Sequence, residues 1–212
     1  MNTSGTPTRG GLRADLALIS DWVEPGSRVL DLGCGNGDLL AHLQNTKGVT
    51  GYGLEIDPDK VIVSIAAGVN ALQLDLDAGL GQFKDNSFDY VVMSSALQEV
   101  QSPHTMIDEM LRIGHDSIVT FPNFGHWRPR VSLGLHGLMP VSRVLPNRWF
   151  DTPNIHLCTV RDFEHLCAEK KVQVVKRHVV NHAHLATRAT RLMPNLLGEI
   201  ALYQLRGHGH RD

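Results

Sequence analysis

The chain has 212 residues, of which 42% are hydrophobic, and a formal net charge of −2. This length allows one domain with a substantial core, and the hydrophobic content excludes global disorder. The small net charge argues against a protein that binds a nucleic-acid backbone, and no apolar run approaches the roughly 20 residues that span a bilayer.

The N-terminal residues 1–11 have no apolar core, so we interpret them as a disordered tail and not as a secretory signal. The three cysteines form no C-x-x-C pair, which favours a reducing compartment. Both features predict a cytoplasmic protein. A single domain is then predicted over residues 12–206, and its first element is a helix with the apolar stripe Leu12, Leu16, Ile19 and Val23.

Residues 28–32 predict a buried parallel strand that runs into a turn with Gly33, Gly35 and Gly37 at alternate positions. Glycines there allow a tight turn and the close approach of a ligand, and the following helix directs unpaired N–H groups at that ligand. The dinucleotide fingerprint G-x-G-x-x-G would need a third glycine where Asp38 stands. A carboxylate is a poor neighbour for a pyrophosphate, but it suits a cationic ligand.

Acidic side chains follow the next two predicted strands. Glu55 lies 18 positions after Gly37, close to the roughly 20-residue spacing of a ribose-hydroxyl acceptor. Asp75 ends the third strand, where it can accept a hydrogen bond from an adenine amino group. The fourth strand, residues 87–94, ends at Ser94, so the sequence predicts an adenosine site at the carboxyl ends of a parallel sheet.

This set resembles the class I S-adenosyl-L-methionine (SAM)-dependent methyltransferases. The resemblance implies that SAM or S-adenosyl-L-homocysteine (SAH) is bound by Asp31, Gly33, Cys34, Gly35, Gly37, Glu55, Ile56, Asp75, Leu76 and Ser94. An NAD-dependent dehydrogenase is the weaker alternative, because the glycine spacing is wrong for it.

Strands and helices alternate through the rest of the chain. Asp57-Pro58 and Ser102-Pro103 start two helices, residues 116–122 form a fifth strand, and Thr159-x-x-Asp162 resembles a capping box. A strand over 172–180, a helix over 184–192 and a closing strand over 197–205 follow, and residues 207–212 form a mobile tail. We therefore predict an α/β, Rossmann-like fold: a mostly parallel seven-stranded sheet flanked by helices, with an insert after strand five and a reversed closing hairpin.

The insert covers residues 122–158 and holds five of the ten prolines and two of the three tryptophans. A loop-rich stretch of this length is usually functional or disordered, and its aromatic content argues against disorder. Its place after strand five predicts that it lies over the mouth of the ligand crevice. We consider three interpretations: a substrate lid, a docking surface for a partner protein, or a structural cover.

The runs TFPNFGHW (120–127), LMP (138–140) and WFDTPNIHLCT (149–159), with Leu97-Gln98, are similar to the signature of the methionine biosynthesis protein MetW family. The likeness extends from about Arg13 to Leu205. It implies a methyltransferase-fold protein of bacterial methionine synthesis that accompanies a homoserine O-acyltransferase. The candidates for contact with a substrate or partner are Asn123, His126, Trp127, Trp149, Asp151, Asn154 and His156.

The chemistry is left open by the sequence. Transfer of a methyl group from SAM can proceed when the sulfonium methyl is simply aligned with the acceptor, because the leaving group is already good. A stand-alone methyltransferase that acts on a small molecule therefore remains the alternative function. Ser94-Ser95-Ala96-Leu97 differs from the turn that holds a nucleic-acid base, which argues against DNA methylation. No histidine spacing indicates a metal site. Cys34 could have a lowered pKa at the helix N-terminus or could simply fit the turn.

Overall fold

A computed structural model describes residues 8–9, 12–142, 144–181 and 187–207. Its main feature is a seven-stranded sheet. The strands are β1 (Arg28–Leu32), β2 (Thr50–Glu55), β3 (Ala71–Gln73), β4 (Phe88–Ser94), β5 (Gly114–Pro122), β6 (Gln173–Val180) and β7 (Ile200–Arg206). Their order in the sheet is β3-β2-β1-β4-β5-β7-β6, and β7 alone runs opposite to the other six strands. The predicted parallel sheet with a reversed closing strand is confirmed.

Helices cover both faces of the sheet. They are α1 (Ala14–Trp22), α2 (Asp38–Lys47), α3 (Pro58–Ala66), α4 (Pro103–Ile113), α5 (Trp127–Val131), α6 (Val160–Glu169), α7 (Arg188–Leu192) and α8 (Pro194–Leu197). Successive strand side chains point to opposite faces, which creates two apolar clusters. Leu30, Met93 and Phe121 pack toward α4 and α6, whereas Val29 and Val92 pack toward α1 and α2.

Several predicted boundaries shift for local reasons. The first helix begins at Ala14 and not at Leu12, because Leu12–Arg13 pairs with Thr8–Arg9 in a two-residue antiparallel ribbon. The third strand ends at Gln73, before Asp75, whose side chain caps a 3-10 turn. The closing strand begins at Ile200, because Pro194 starts the short helix α8 just before it.

Parts of three predicted segments cannot be compared with the structure. Most of the tail 1–11, residues 184–186 of the predicted helix 184–192, and residues 208–212 lie outside the described residues. The rest of that predicted helix is α7. Among the helices that the structure describes, none is both long enough and apolar enough to cross a bilayer.

The insert contains more secondary structure than its prolines predict. Helix α5 continues directly into a π-helical turn, Ser132–His136, which Gly137 ends with a left-handed backbone. Pro129 sits in the first turn of α5, where a missing N–H costs no hydrogen bond. Leu145 is buried and anchors the centre of the insert. Most of the other large apolar side chains of the insert are exposed.

Candidate functional site

A cleft of about 700 Å³ opens at the carboxyl ends of β1, β2 and β4. Nine of the ten residues predicted to bind the cofactor line it, which are Asp31, Gly33, Cys34, Gly35, Glu55, Ile56, Asp75, Leu76 and Ser94. Gly37 does not line the cleft. The sheet thus brings side chains from four separate stretches of sequence to one edge, as expected for a parallel α/β fold.

The glycine turn between β1 and α2 has a left-handed backbone at each of its three glycines. A Cβ at Gly37 would lie 3.0 Å from the Ser64 hydroxyl, so this glycine allows the turn to pack against α3. A Cβ at Gly35, in contrast, would meet no protein atom within 4 Å. Because Gly35 lines the cleft, its missing side chain leaves room for a ligand at the backbone.

The carboxylate of Glu55 connects the glycine turn to the end of β2. One oxygen, Oε2, accepts a hydrogen bond from the N–H of Gly35 at 2.9 Å. The other, Oε1, accepts from the N–H groups of Ile56 and Asp57, each at 3.0 Å. Three backbone donors therefore hold this buried carboxylate in one position at the cleft wall.

Asp75 and Asp77 form the opposite lip of the cleft. Asp75 Oδ1 accepts the N–H of Asp77 at 2.9 Å and caps the 3-10 turn that begins at Leu76. Asp77 Oδ1 accepts the N–H of Gln101 at 2.9 Å. The turn after β3 is thereby tied to the segment after β4, and Asp75 is positioned by local backbone hydrogen bonds.

The cleft is strongly acidic. Within the part of the chain that the structure describes, seven carboxylate residues and only two basic ones line it, which are Asp31, Asp38, Glu55, Asp57, Asp75, Asp77 and Glu99 against Arg13 and Lys60. Burial raises the pKa of Glu99, an effect that Lys60 opposes and Glu55 reinforces. Such a wall attracts a cation and repels a phosphate.

Asp31 is the most deeply buried acid of the cleft. Burial raises its pKa to about 7, while Arg13 lowers it and Glu55 raises it further. Arg13 is held in place by Asp15, whose carboxylate accepts a hydrogen bond from the Arg13 guanidinium at 2.8 Å. Arg13 is thus one cation that favours the ionised form of Asp31, and a cationic ligand in the cleft would lower the pKa of Asp31 further.

The Cys34 thiol is not activated by the helix N-terminus. Burial, and secondarily the Asp31 carboxylate, raise its pKa to about 12. Its Sγ atom fills the space above Gly53, where a Cβ would lie only 2.5 Å from the sulfur. This environment agrees with the second interpretation of Cys34, a small side chain that simply fits the turn.

Sequence reasoning missed several residues of the cleft. Arg13, Lys60, Ser95 and Glu99 all line it. Ser95 has a left-handed backbone, φ 60°, and its N–H donates to the Thr120 carbonyl at 3.0 Å. No sequence signal marks a serine in this conformation, whereas an acid at Glu99, shortly after the fourth strand, could have been considered with the other acids.

The seven candidates of the insert lie elsewhere. No described residue between 122 and 158 lines the acidic cleft, so these candidates are not part of the predicted cofactor site. Trp127, Trp149 and Asp151 are exposed, and Asn154 is half-buried. The His156 ring donates to the Gln101 carbonyl oxygen at 3.1 Å.

His126 is buried at the start of α5. Its Nδ1 atom accepts the N–H of Arg128 at 3.4 Å, and its Nε2 atom lies 3.9 Å from the Glu199 carboxylate. Arg128 approaches the same carboxylate at 3.8 Å. These contacts connect the insert to the beginning of the closing strand, which is a structural role.

Asn123 is a buried junction between the insert, α6 and the α8 region. Its amide donates to the carbonyls of Asn195 and Gly198 at 3.1 and 2.7 Å. Its Oδ1 atom accepts the N–H groups of Gly125 and Val160 at 2.9 and 3.2 Å. All four contacts are internal, so this side chain holds the base of the insert.

Replacing Asn123 by alanine is expected to lower the free energy of unfolding by roughly 3 kcal/mol, because it leaves buried backbone groups without partners. Urea denaturation measures the loss. The exposed Asn147→Ala, in the same insert, is the matched control and should change the midpoint little. An Asn123→Ala protein as stable as the unaltered chain would refute this structural role.

The chain is similar to proteins of known families. A family model described as "Methionine biosynthesis protein MetW" matches residues 13–205. The bifunctional methionine biosynthesis protein MetXA/MetW of Rhodopirellula baltica is 33% identical over 175 residues, which are 77% of this chain and 28% of that protein. A demethylmenaquinone methyltransferase of Oceanobacillus iheyensis is 34% identical over 98 residues, 43% of this chain and 41% of that one. The chain thus spans less than half the length of either relative.

The fold has close counterparts among solved structures. An S-adenosylmethionine-dependent methyltransferase from Mesorhizobium loti superposes with a TM-score of 0.66 at 17% identity, and the match covers 92% of this chain and 98% of that one. At this identity the likeness concerns the fold alone. The predicted class I methyltransferase fold is confirmed.

Proposed function

Because the chain belongs to the methionine biosynthesis protein MetW family, we propose that it binds SAM and SAH in the acidic cleft and acts with, or regulates, a homoserine O-acyltransferase. The observation that carries the ligand proposal is the combination of a glycine turn, a fixed Glu55 carboxylate and an acidic wall in one cleft. The acyltransferase is suggested by the relative that joins MetXA and MetW in one protein.

Each part of the cleft fits one part of the proposed ligand. Glu55, held by three N–H groups, retains one lone-pair site on Oε2 that can accept a ribose hydroxyl. Asp75 suits the adenine amino group, and the flanking side chains of Ile56 and Leu76 suit the ring. Asp31, with the glycine turn, suits the ammonium and sulfonium charges of the methionine part. A carboxylate-lined wall of this kind favours SAM over a dinucleotide.

The affinity for SAM is expected to rise several-fold between about pH 6 and about pH 7.5. Asp31 is protonated below its pKa of about 7, and a cationic ligand binds better to the ionised carboxylate. Calorimetric titration across this range measures the effect. Asp31→Asn should bind weakly with little pH dependence, and an unaltered protein whose affinity is flat over the range would contradict this assignment.

The second candidate function is a stand-alone methyltransferase that acts on a small molecule. When bound, SAM supplies a sulfonium-linked methyl group, and the observation that favours transfer is Glu99, an exposed residue of the cleft wall whose carboxylate has a raised pKa and could receive a proton from an acceptor. Fold alone does not imply the reaction. Release of SAH by the purified chain with a metabolite extract would favour this candidate.

The regulatory proposal is tested with purified components. A ligand changes a partner only through a differential affinity for two states. We expect the rate of a homoserine O-acyltransferase from the same organism to change when this chain is added, and to change again with saturating SAM. A rate that is unaffected by the chain, with or without SAM, would reject a role beside the acyltransferase.

A further inference from the structure

Exposed apolar side chains are concentrated in the insert. Among the described residues, more than half of the exposed large hydrophobic side chains lie between 127 and 157, a segment that we call the insert surface. Trp127, Val131 and Leu135 are spaced four apart along the continuous helical segment 127–136, so they follow one side of it. Leu135 is 78% exposed, and Trp149 is 73% exposed beside the ring of Phe150. Apolar exposure on this scale usually marks an interaction site.

The charge of the insert surface indicates the chemistry of its partner. By sequence it carries four arginines and a single acid, Asp151, whereas the whole chain has a net charge of −2. Arg128 lies over the Trp127 ring at 5.5 Å, and Arg148 lies over the Phe150 ring at 6.0 Å. Trp and Arg are the residues most enriched at the energetic centres of protein interfaces. The complementary face is therefore apolar and bears carboxylates.

A membrane fits this surface less well than a protein does. Helices that lie on anionic lipid present one apolar face and one Lys- or Arg-rich face along their length, and many cover about 20–30 residues. Here the helical part covers only residues 127–136, and Trp149 and Phe150 lie outside it, so most of the surface is not an amphipathic helix.

The insert surface is connected to the cleft by a chain of hydrogen bonds. The Gln98 carbonyl accepts the N–H groups of Ile155 and His156 at 2.9 and 3.1 Å. The His156 ring donates to the Gln101 carbonyl at 3.1 Å, and the Gln101 N–H in turn donates to Asp77 of the cleft. The segment 94–101 therefore contacts the insert on one side and lines the cleft with Ser95 and Glu99 on the other.

We propose, on the basis of the proposed function, that the insert surface docks the acyltransferase through an apolar, carboxylate-bearing face of that enzyme, and that the segment 94–101 connects docking to occupancy of the cleft. In the Rhodopirellula baltica relative, MetXA and MetW share one protein, which holds the two parts at a high effective concentration. Where such parts are not joined covalently, a contact surface between them holds them together instead. Coupling of the two sites is reciprocal, so SAM and the acyltransferase change each other's affinity by the same factor.

The test measures binding of the purified full chain to the purified acyltransferase, with and without SAM. Leu135→Asp and Trp149→Ala should each weaken the complex at least tenfold. Ile62→Asp, at an apolar site on α3 that is also well exposed (64%), is the matched control and should leave the affinity unchanged. All three variants should bind SAM as the unaltered chain does, which shows that they fold. His156→Ala should reduce the factor by which SAM changes the acyltransferase affinity.

The outcomes separate this surface from the proposed function. An acyltransferase complex that tolerates both insert variants, or that only Ile62→Asp weakens, would overturn the insert surface and leave the partnership intact. No complex with the unaltered chain, although it binds SAM, would overturn the partnership and the surface together. Binding of the unaltered chain to anionic phosphatidylserine vesicles, lost in Leu135→Asp while the acyltransferase complex is unaffected, would assign the surface to a membrane.

Discussion

Replacing Glu55 by alanine is expected to weaken SAM and SAH binding roughly ten- to hundredfold. A hydrogen bond to a charged group contributes about 1.5–3 kcal/mol, and the proposed site uses the remaining acceptor site of this carboxylate for a ribose hydroxyl. The same change removes the acceptor of the Gly35, Ile56 and Asp57 N–H groups. Isothermal titration measures the affinity, and we expect a stability loss of about 1–3 kcal/mol in urea.

Two variants show whether the loss of affinity comes from the ribose contact. Asp59→Ala removes an exposed acid of α3 from outside the cleft, and it should bind SAM normally. Glu55→Gln keeps one oxygen acceptor and nearly the same shape, so its stability should lie nearer to that of the unaltered chain. SAM affinity close to normal in folded Glu55→Ala would mean that the ribose lies elsewhere.

Gly35→Ala is expected to abolish detectable SAM binding while the fold survives. The new methyl group would project into space that no protein atom occupies, beside the cleft, where the ligand must approach the turn. Alanine at φ +57° costs about 1–2 kcal/mol in stability. Titration of the folded variant, with circular dichroism to follow its melting, measures both effects.

Gly51→Ala gives the contrasting result. A Cβ at Gly51 would lie 1.7 Å from the Val29 carbonyl oxygen in β1, so this variant should fail to fold stably and not merely lose a ligand. If Gly35→Ala binds SAM normally, the glycine turn does not contact the ligand. If Gly51→Ala folds normally, the packing of β1 against β2 is not as described.

The sheet could be predicted because its signals are local and repeated. Each buried strand is a short aliphatic run, and Asp57-Pro58 and Ser102-Pro103 mark helix starts with a residue whose missing N–H costs nothing there. The capping box at Thr159 and Asp162 forms as predicted. The end of the third strand differs from the prediction, because Asp75 caps its own turn instead of extending the strand.

The site could be predicted only in part. Glu55 and Asp75 were found because acids that follow consecutive parallel strands must meet at one edge of the sheet. Arg13 and Ser95 were missed. The electrostatic effect of Arg13 on Asp31 and the left-handed backbone of Ser95 leave no periodic pattern in the sequence. The place of the insert after β5 does not reveal its long-range contacts, such as the hydrogen bonds from the Ile155 and His156 N–H groups to the Gln98 carbonyl.

The central claim is that a cationic adenosyl ligand occupies the cleft between the glycine turn and the acids that follow β2 and β3. Calorimetric titration of the purified chain with SAM and with SAH tests it most directly. We expect saturable binding of one molecule of each, together with a rise in melting temperature. No heat and no thermal shift with either molecule would contradict it.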